Sequence, residues 1–286
     1  MNRRNFIQNT LGLSALSLLQ LNAKPIKAKQ VGLQLYTLRD DIQKQGIEKI
    51  VEAVAKLGYK KVENFGYGKG LFFGKTPAEY AKLLKDNGLT APSGHYLTAR
   101  NMEIDGLSKN WDKVIDDAAA VGQKYAVLAY LMPNERKPDD YKQFFELLNK
   151  GAEVAKKAGL KMAYHNHDFE FTERIDGEKP YDLLLKNTKI AMELDLYWVA
   201  KANEKPEEYF MKHPGRFEMW HIKDMANTPE KEFAEVGSGT INFADTFKHA
   251  KHAGLKHYFV EQDVCKRPPL TSVEMSIDYI KKAKWG

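Results

Sequence analysis

From Gln30 onward, short apolar runs alternate with longer stretches of helical periodicity. Val31–Leu38 reads as a first strand. Ile42–Leu57 reads as a helix, with apolar residues at Ile47, Ile50, Val51, Val54 and Leu57, the spacing that puts them on one helical face. Lys60–Phe65 is a second strand. Thr76 then caps a helix whose first position is Pro77: the hydroxyl accepts an orphan N–H, and proline has none to leave unpaired. Further strands are expected at Leu89–Tyr96, Tyr125–Tyr130, Leu160–Ala163, Ile190–Asp195, Phe217–Lys223 and His257–Glu261. The helices between and after them are expected at Ser108–Val121, Pro138–Ala158, Tyr181–Lys186, Pro206–Lys212, Phe243–Ala253 and Ser272–Ala283.

One junction recurs. Helices end at Gly58, Gly88, Gly159 and Gly254, and a strand begins at once. Glycine adopts the left-handed conformation that closes a helix, and the chain turns straight back. Eight strand–helix units with no domain break predict an α/β fold of a single domain, a (β/α)8 TIM barrel spanning residues 29–286,. No Gly-x-Gly-x-x-Gly follows the first strand, which argues against a dinucleotide fold.

Residues 1–28 do not share this pattern. Arg3-Arg4 precedes Asn5-Phe6-Ile7 and a mostly apolar run, Leu11–Leu21, with small residues at Ala23 and Ala28. This resembles a twin-arginine export signal, too short for a membrane span, and implies a periplasmic protein with no span in the mature chain. The composition is compatible with export. A single cysteine, Cys265, allows no internal disulfide,. The net charge of +6 comes from interleaved acids and bases. Without a basic run, nucleic acid is not expected as a partner.

In a barrel of this kind chemistry gathers at the carboxyl ends of the strands. The fifth strand runs into Tyr164-His-Asn-His-Asp-Phe-Glu-Phe171, which brings His165, His167 and Glu170 to that rim. The next three strands end near Asp195, His221 and Glu261. Imidazole and carboxylate on four successive strand ends suit a divalent metal such as Mn, Co, Zn or Mg. Which of His165, His167 and Glu170 touches the ion is open, and the others are candidate bases. Glu63 and His95 end the second and third strands as acid–base candidates. Lys223 follows His221 by two residues, placed to stabilise a developing oxyanion. The glycine-rich Glu235–Phe243 segment either holds a phosphate or turns the chain. Tyr197, Trp198 and Trp220 either stack on a sugar or fill the rim.

With these residues placed, the chain from Val31 to Trp285 resembles the sugar phosphate isomerase/epimerase family of xylose-isomerase-like barrels. The resemblance is carried by Tyr-His-Asn-His-Asp-Phe-Glu-Phe, Glu-Leu-Asp, Trp-His-Ile-Lys-Asp, Val-Gly-Ser-Gly-Thr-Ile-Asn-Phe and Phe-Val-Glu-Gln-Asp. It implies a metal held by Glu, Asp, His and Glu from strands five to eight. Asp195, His221 and Glu261 match three of these, and His165 stands where many relatives have glutamate. The family also holds inosose dehydratases and lyases acting on 3-keto sugars, and the exported branch is similar to those. The expected enzyme takes a proton from the carbon beside a sugar carbonyl, through an enediolate. Reprotonation then gives isomerisation or epimerisation, and loss of a β-substituent gives a lyase. A non-catalytic exported sugar-binding barrel is the alternative from another class. A small sugar or keto sugar is the expected partner, and a homo-oligomer is compatible with the sequence.

Overall fold

The computed structural model describes residues 30–100, 102–283 and 285. The export signal expected at residues 1–28 lies outside them. Eight parallel strands close into a barrel: β1 Gly32–Gln34, β2 Lys61–Asn64, β3 Thr90–Tyr96, β4 Tyr125–Leu128, β5 Lys161–His165, β6 Ala191–Asp195, β7 Met219–Ile222 and β8 His257–Val260. β8 returns beside β1, with Gly32 paired to Phe259 and Leu33 to Val260. Helices lie between consecutive barrel strands. The fold is the single TIM barrel expected from the sequence.

Side chains alternate across each strand, so every second residue enters the barrel. Tyr125, Val127, Ala163, Ala191, Met219 and Phe259 form one apolar cluster inside it. Two residues further along their strands stand His165, Glu193, His221 and Glu261. The barrel therefore changes from apolar to ionisable within one step of the pleat. Gly32 is required at this level: a Cβ there would lie 2.3 Å from the Phe259 ring. Trp220, on the other face of β7, stacks on Phe210 at 4.9 Å between centroids, outside the barrel.

Gly58, Gly88, Gly159 and Gly254 all have positive φ, between 66° and 102°. Other boundaries differ from expectation for local reasons. β1 stops at Gln34, whose side chain accepts the Tyr36 N–H and starts a 3-10 turn over Leu35–Leu38. The helix expected over Ile42–Leu57 is two helices, Arg39–Gln45 and Ile47–Leu57, parted by Gly46 at φ 87°. The one expected over Phe243–Ala253 is likewise two, Phe243–Phe247 and Ala250–Ala253. Two short helices, Phe169–Thr172 and Leu196–Lys201, begin at the ends of β5 and β6. Among the described residues, no helix is long and apolar enough to cross a membrane.

Candidate active site

A cavity of about 540 Å³ opens at the carboxyl ends of the strands. Its walls carry Tyr36, Phe65, Tyr96 and Tyr130, and its floor His95, His165, His167, Lys223 and Glu261. These aromatics come from the ends of strands one to four. The rings singled out in the sequence pack against other side chains and do not line this cavity. Trp220 is outside the barrel, Tyr197 is buried 4.3 Å from the Phe233 ring, and Trp198 packs 5.3 Å from His167.

Two groups of ligand-type atoms lie at the floor, and in each the atoms are within 4.8 Å of one another. His165, Asp195, His221 and Glu261 make the first, and Glu63, His95, Glu193 and His221 the second. His221 belongs to both through its two nitrogens. Its Nδ1 lies 2.7 Å from Glu261 Oε2 and its Nε2 2.6 Å from Glu63 Oε2. Every member is buried except His95, which is partly exposed to the cavity.

The supporting contacts are local. Asp195 caps the helix that starts after it, its Oδ1 accepting the N–H groups of Tyr197 and Trp198. Asn166 Oδ1 accepts the Asp195 N–H at 3.0 Å, tying the end of β5 to β6. Gln34 Nε2 donates to Glu63 Oε2 at 2.9 Å. Lys223 is buried, with Nζ 3.0 Å from Asp195 Oδ2, 2.7 Å from Glu261 Oε2 and 2.9 Å from Asp263 Oδ2. It is a buried cation among three carboxylates.

Burial opposes charge throughout the floor, and neighbouring charges decide each case. The Glu63 and Glu193 carboxylates outweigh burial at His95 and push it up to about 9. Burial would lower His221, but Glu193 and Glu261 hold it well above the usual range. Burial would raise Glu63, but His95 and His221 hold it well below 4.5. Burial likewise opposes ionisation of Asp195 and Glu261, and Lys223 keeps both low. His165 is lowered by burial, and His167 falls well below 6.5 through burial with His165 and Lys223 close by. Both are neutral imidazoles at pH 7.

Of the residues singled out in the sequence, His165, Asp195, His221, Glu261, Glu63, His95, His167 and Lys223 are brought together here. Glu170 is not. Its carboxylate turns away from both groups, accepting the Tyr164 hydroxyl at 2.6 Å and the His167 N–H at 2.8 Å. Burial pushes it up to about 8. It braces the His167 loop instead of reaching the cavity. Glu193 is the residue sequence reasoning missed. The signal was present in Glu-Leu-Asp: two residues before Asp195 on one strand is the same face.

The glycine-rich segment turns the chain. Asp224 takes up its amides, accepting N–H groups from Gly237, Gly239 and Ile241 as well as its neighbour Met225, all at 2.8–3.1 Å. A Cβ at Gly239 would lie 2.3 Å from Asp224 Oδ1, so the loop closes on the carboxylate and leaves no phosphate cradle there. Replacing Asp224 by Ala strands these donors. The expected loss is about 2–4 kcal/mol of stability, measured by urea unfolding. A loss below about 0.5 kcal/mol would show that water replaces the carboxylate without cost.

The donor set suits a divalent ion. It combines buried imidazole nitrogens with carboxylate oxygens, and Glu63 Oε1 and Glu193 Oε1 are buried with no hydrogen-bond partner,. Residues 51–283 match the family model for the xylose isomerase-like TIM barrel. A solved sugar phosphate isomerase/epimerase from Parabacteroides distasonis is 30% identical, with a TM-score of 0.77, covering 90% of this chain and 99% of that one. Inosose dehydratase of Clostridium perfringens is 27% identical over 166 residues, 50% of this chain and 55% of that protein. The chain thus spans about half the length of the curated relatives it matches. A solved IOLI protein with a bound zinc atom shares the fold at 16% identity and a TM-score of 0.67, over 88% of this chain and 95% of that one.

Proposed function

The chain belongs to the xylose isomerase-like TIM barrel family, and from that premise we propose that it is a divalent-metal-dependent enzyme abstracting a proton beside a sugar carbonyl. The observation that carries this reading is a cavity floor where neutral imidazoles, a buried ammonium and a buried His/carboxylate donor set meet. A bound divalent ion would supply Lewis-acid polarisation of the sugar carbonyl. His165, Asp195, His221 and Glu261 are the holders that the family resemblance implies.

The chain's own residues do the rest. His167 faces the cavity, and its Nδ1 is buried without a hydrogen-bond partner. It is the one imidazole of the floor with no carboxylate against it, so it is free to take the substrate proton. Lys223 Nζ lies beside the same floor, and although carboxylates hold its N–H groups, its charge acts on the enediolate oxygen across the cavity,. Tyr36, Phe65 and Tyr130 exclude water and offer apolar faces to the sugar ring,.

Neutral keto sugars suit this cavity better than sugar phosphates. Its lining cations are Arg39, Lys223 and His95, the last held against Glu63 and Glu193. Arg39 donates to the Asp263 carbonyl, and Lys223 is held by three carboxylates. The glycine loop has its amides on Asp224. We therefore place free or glycosidic 3-keto sugars ahead of phosphorylated ones. Proton abstraction is common to the isomerase, epimerase and lyase outcomes, and the fate of the enediolate decides among them. The leader pattern at Arg3-Arg4 supports a periplasmic location,. Recovery of the full-length chain from the cytoplasmic fraction alone would refute that location.

The test is deuterium wash-in at the carbon beside the carbonyl. The metal-loaded protein is expected to exchange 3-keto sugars faster than any sugar phosphate. His167→Ala should slow that exchange by about 100-fold or more while metal content stays unchanged. Absence of exchange with every keto sugar tried would favour the non-catalytic binding protein.

A further inference from the structure

Glu193 has no role in the ligand set that the resemblance implies, yet it closes a four-membered group with Glu63, His95 and His221. We propose that this group is a divalent-metal site in its own right, built from β2, β3, β6 and β7 at the bottom of the cavity. The inference deepens the metal-dependent reading above. Its test reads metal alone, so either can fail while the other stands.

Four observations carry it. First, the donor atoms converge on one point. Glu63 Oε2 lies 2.6 Å from His221 Nε2 and 3.2 Å from His95 Nε2. Glu193 Oε2 lies 2.7 Å from His95 Nε2 and 3.3 Å from His221 Nε2. Ligands about 2.0–2.1 Å from a tetrahedral ion stand roughly 3.3 Å apart. The two longer spacings already meet that value, and the two shorter ones are hydrogen bonds that the ion would replace. Second, Glu63 Oε1 and Glu193 Oε1 are buried without partners, although buried carboxylate oxygens rarely go unmatched.

Third, the competing charges differ between the two groups. Lys223 sits against Asp195 and Glu261, the two carboxylates of the neighbouring group. Among the described residues, neither Glu63 nor Glu193 pairs with a lysine or arginine. Metal binding displaces the imidazole protons of His95 and His221, and the two carboxylates then balance the 2+ ion,. Fourth, the outer contacts are those of a ligating histidine. With Nε2 on the ion, His221 donates from Nδ1 to Glu261, which is itself held by Lys223, the arrangement that orients and strengthens a metal-bound imidazole. Lys223, Glu261 and Asp195 then form the support around the ion. The donor set of two nitrogens and two oxygens favours zinc, with cobalt and manganese next. On this reading Glu63 and His95 are ligands, in contrast to the acid–base role that the sequence suggested.

The experiment uses the whole chain, stripped with a chelator and titrated with Zn(II). Glu193→Gln and His95→Ala are expected to weaken zinc binding by about 100-fold or more, and His165→Ala by less than about tenfold. Two ions per chain, one of them lost in Glu193→Gln, would equally support the site. The reverse pattern, with zinc kept in Glu193→Gln and lost in His165→Ala, overturns it, as does a parent chain that binds no zinc. Anomalous diffraction at the zinc edge on the unaltered protein needs no variant to fold. A peak between Glu63, His95, Glu193 and His221 supports the proposal, and a peak only between His165, Asp195 and Glu261 refutes it.

Discussion

Replacing His221 by Ala is expected to abolish high-affinity metal binding and to slow deuterium wash-in by roughly three orders of magnitude, since losing several kcal/mol of carbonyl polarisation costs one decade per about 1.4 kcal/mol. The expectation does not depend on which group holds the ion. His221 faces Glu63 and Glu193 through Nε2 and Glu261 through Nδ1, so one truncation removes a donor from both groups. The fold should also lose about 3–5 kcal/mol, because buried carboxylates are left without their imidazole. The sign with pH follows from the raised pKa of this histidine in the metal-free protein. Its contribution is fully present below the unfolded value near 6.5 and fades as pH rises through the folded value. Metal analysis, wash-in and urea unfolding at pH 6 check the three parts. Full metal occupancy in this variant would remove His221 from the site altogether.

Much of this site was legible because strand alternation is a strong local signal. His165, Asp195, His221 and Glu261 stand at or beside the ends of β5 to β8, each two residues beyond an inward apolar partner or Glu193. The same rule excludes Trp220, one residue before His221, from the barrel mouth and admits Glu193, two residues before Asp195. The glycine junctions were legible because a helix must leave through a left-handed residue. Helix breaks at Gly46 and after Phe247 were not, since tertiary packing sets where a long periodic segment bends. Contacts between distant segments were the hardest to foresee. Asp224 reads as no more than the residue after Lys223 until a loop 13–17 residues later folds its amides onto it. Glu170 reads as a further candidate base until Tyr164 and the His167 amide claim both its oxygens.

Lys223 shows the same dependence on distant partners, and removing its charge tests how the floor is held. Lys223→Met keeps the stem and deletes the ammonium that faces Asp195, Glu261 and Asp263. Breaking a buried ion pair from one side is expected to cost about 3–5 kcal/mol at neutral pH, because the carboxylates stay buried and lose their counter-charge. The cost should depend on pH in one direction. Asp195 and Glu261 are depressed in the native chain, against burial and through Lys223, so the stability they contribute is present above their unfolded values and lost as pH falls through the folded ones,. In the variant those carboxylates regain protons at higher pH, which relieves the unpaired charge. Lys223 itself is raised above 10.5, so its own contribution stays constant through neutral and acid pH. The gap between parent and Lys223→Met should therefore be widest near pH 7.5 and narrow by pH 5. Urea unfolding of both metal-free proteins at the two values measures it. A gap that is unchanged or wider at pH 5 would mean that the carboxylates are neutralised by something other than Lys223.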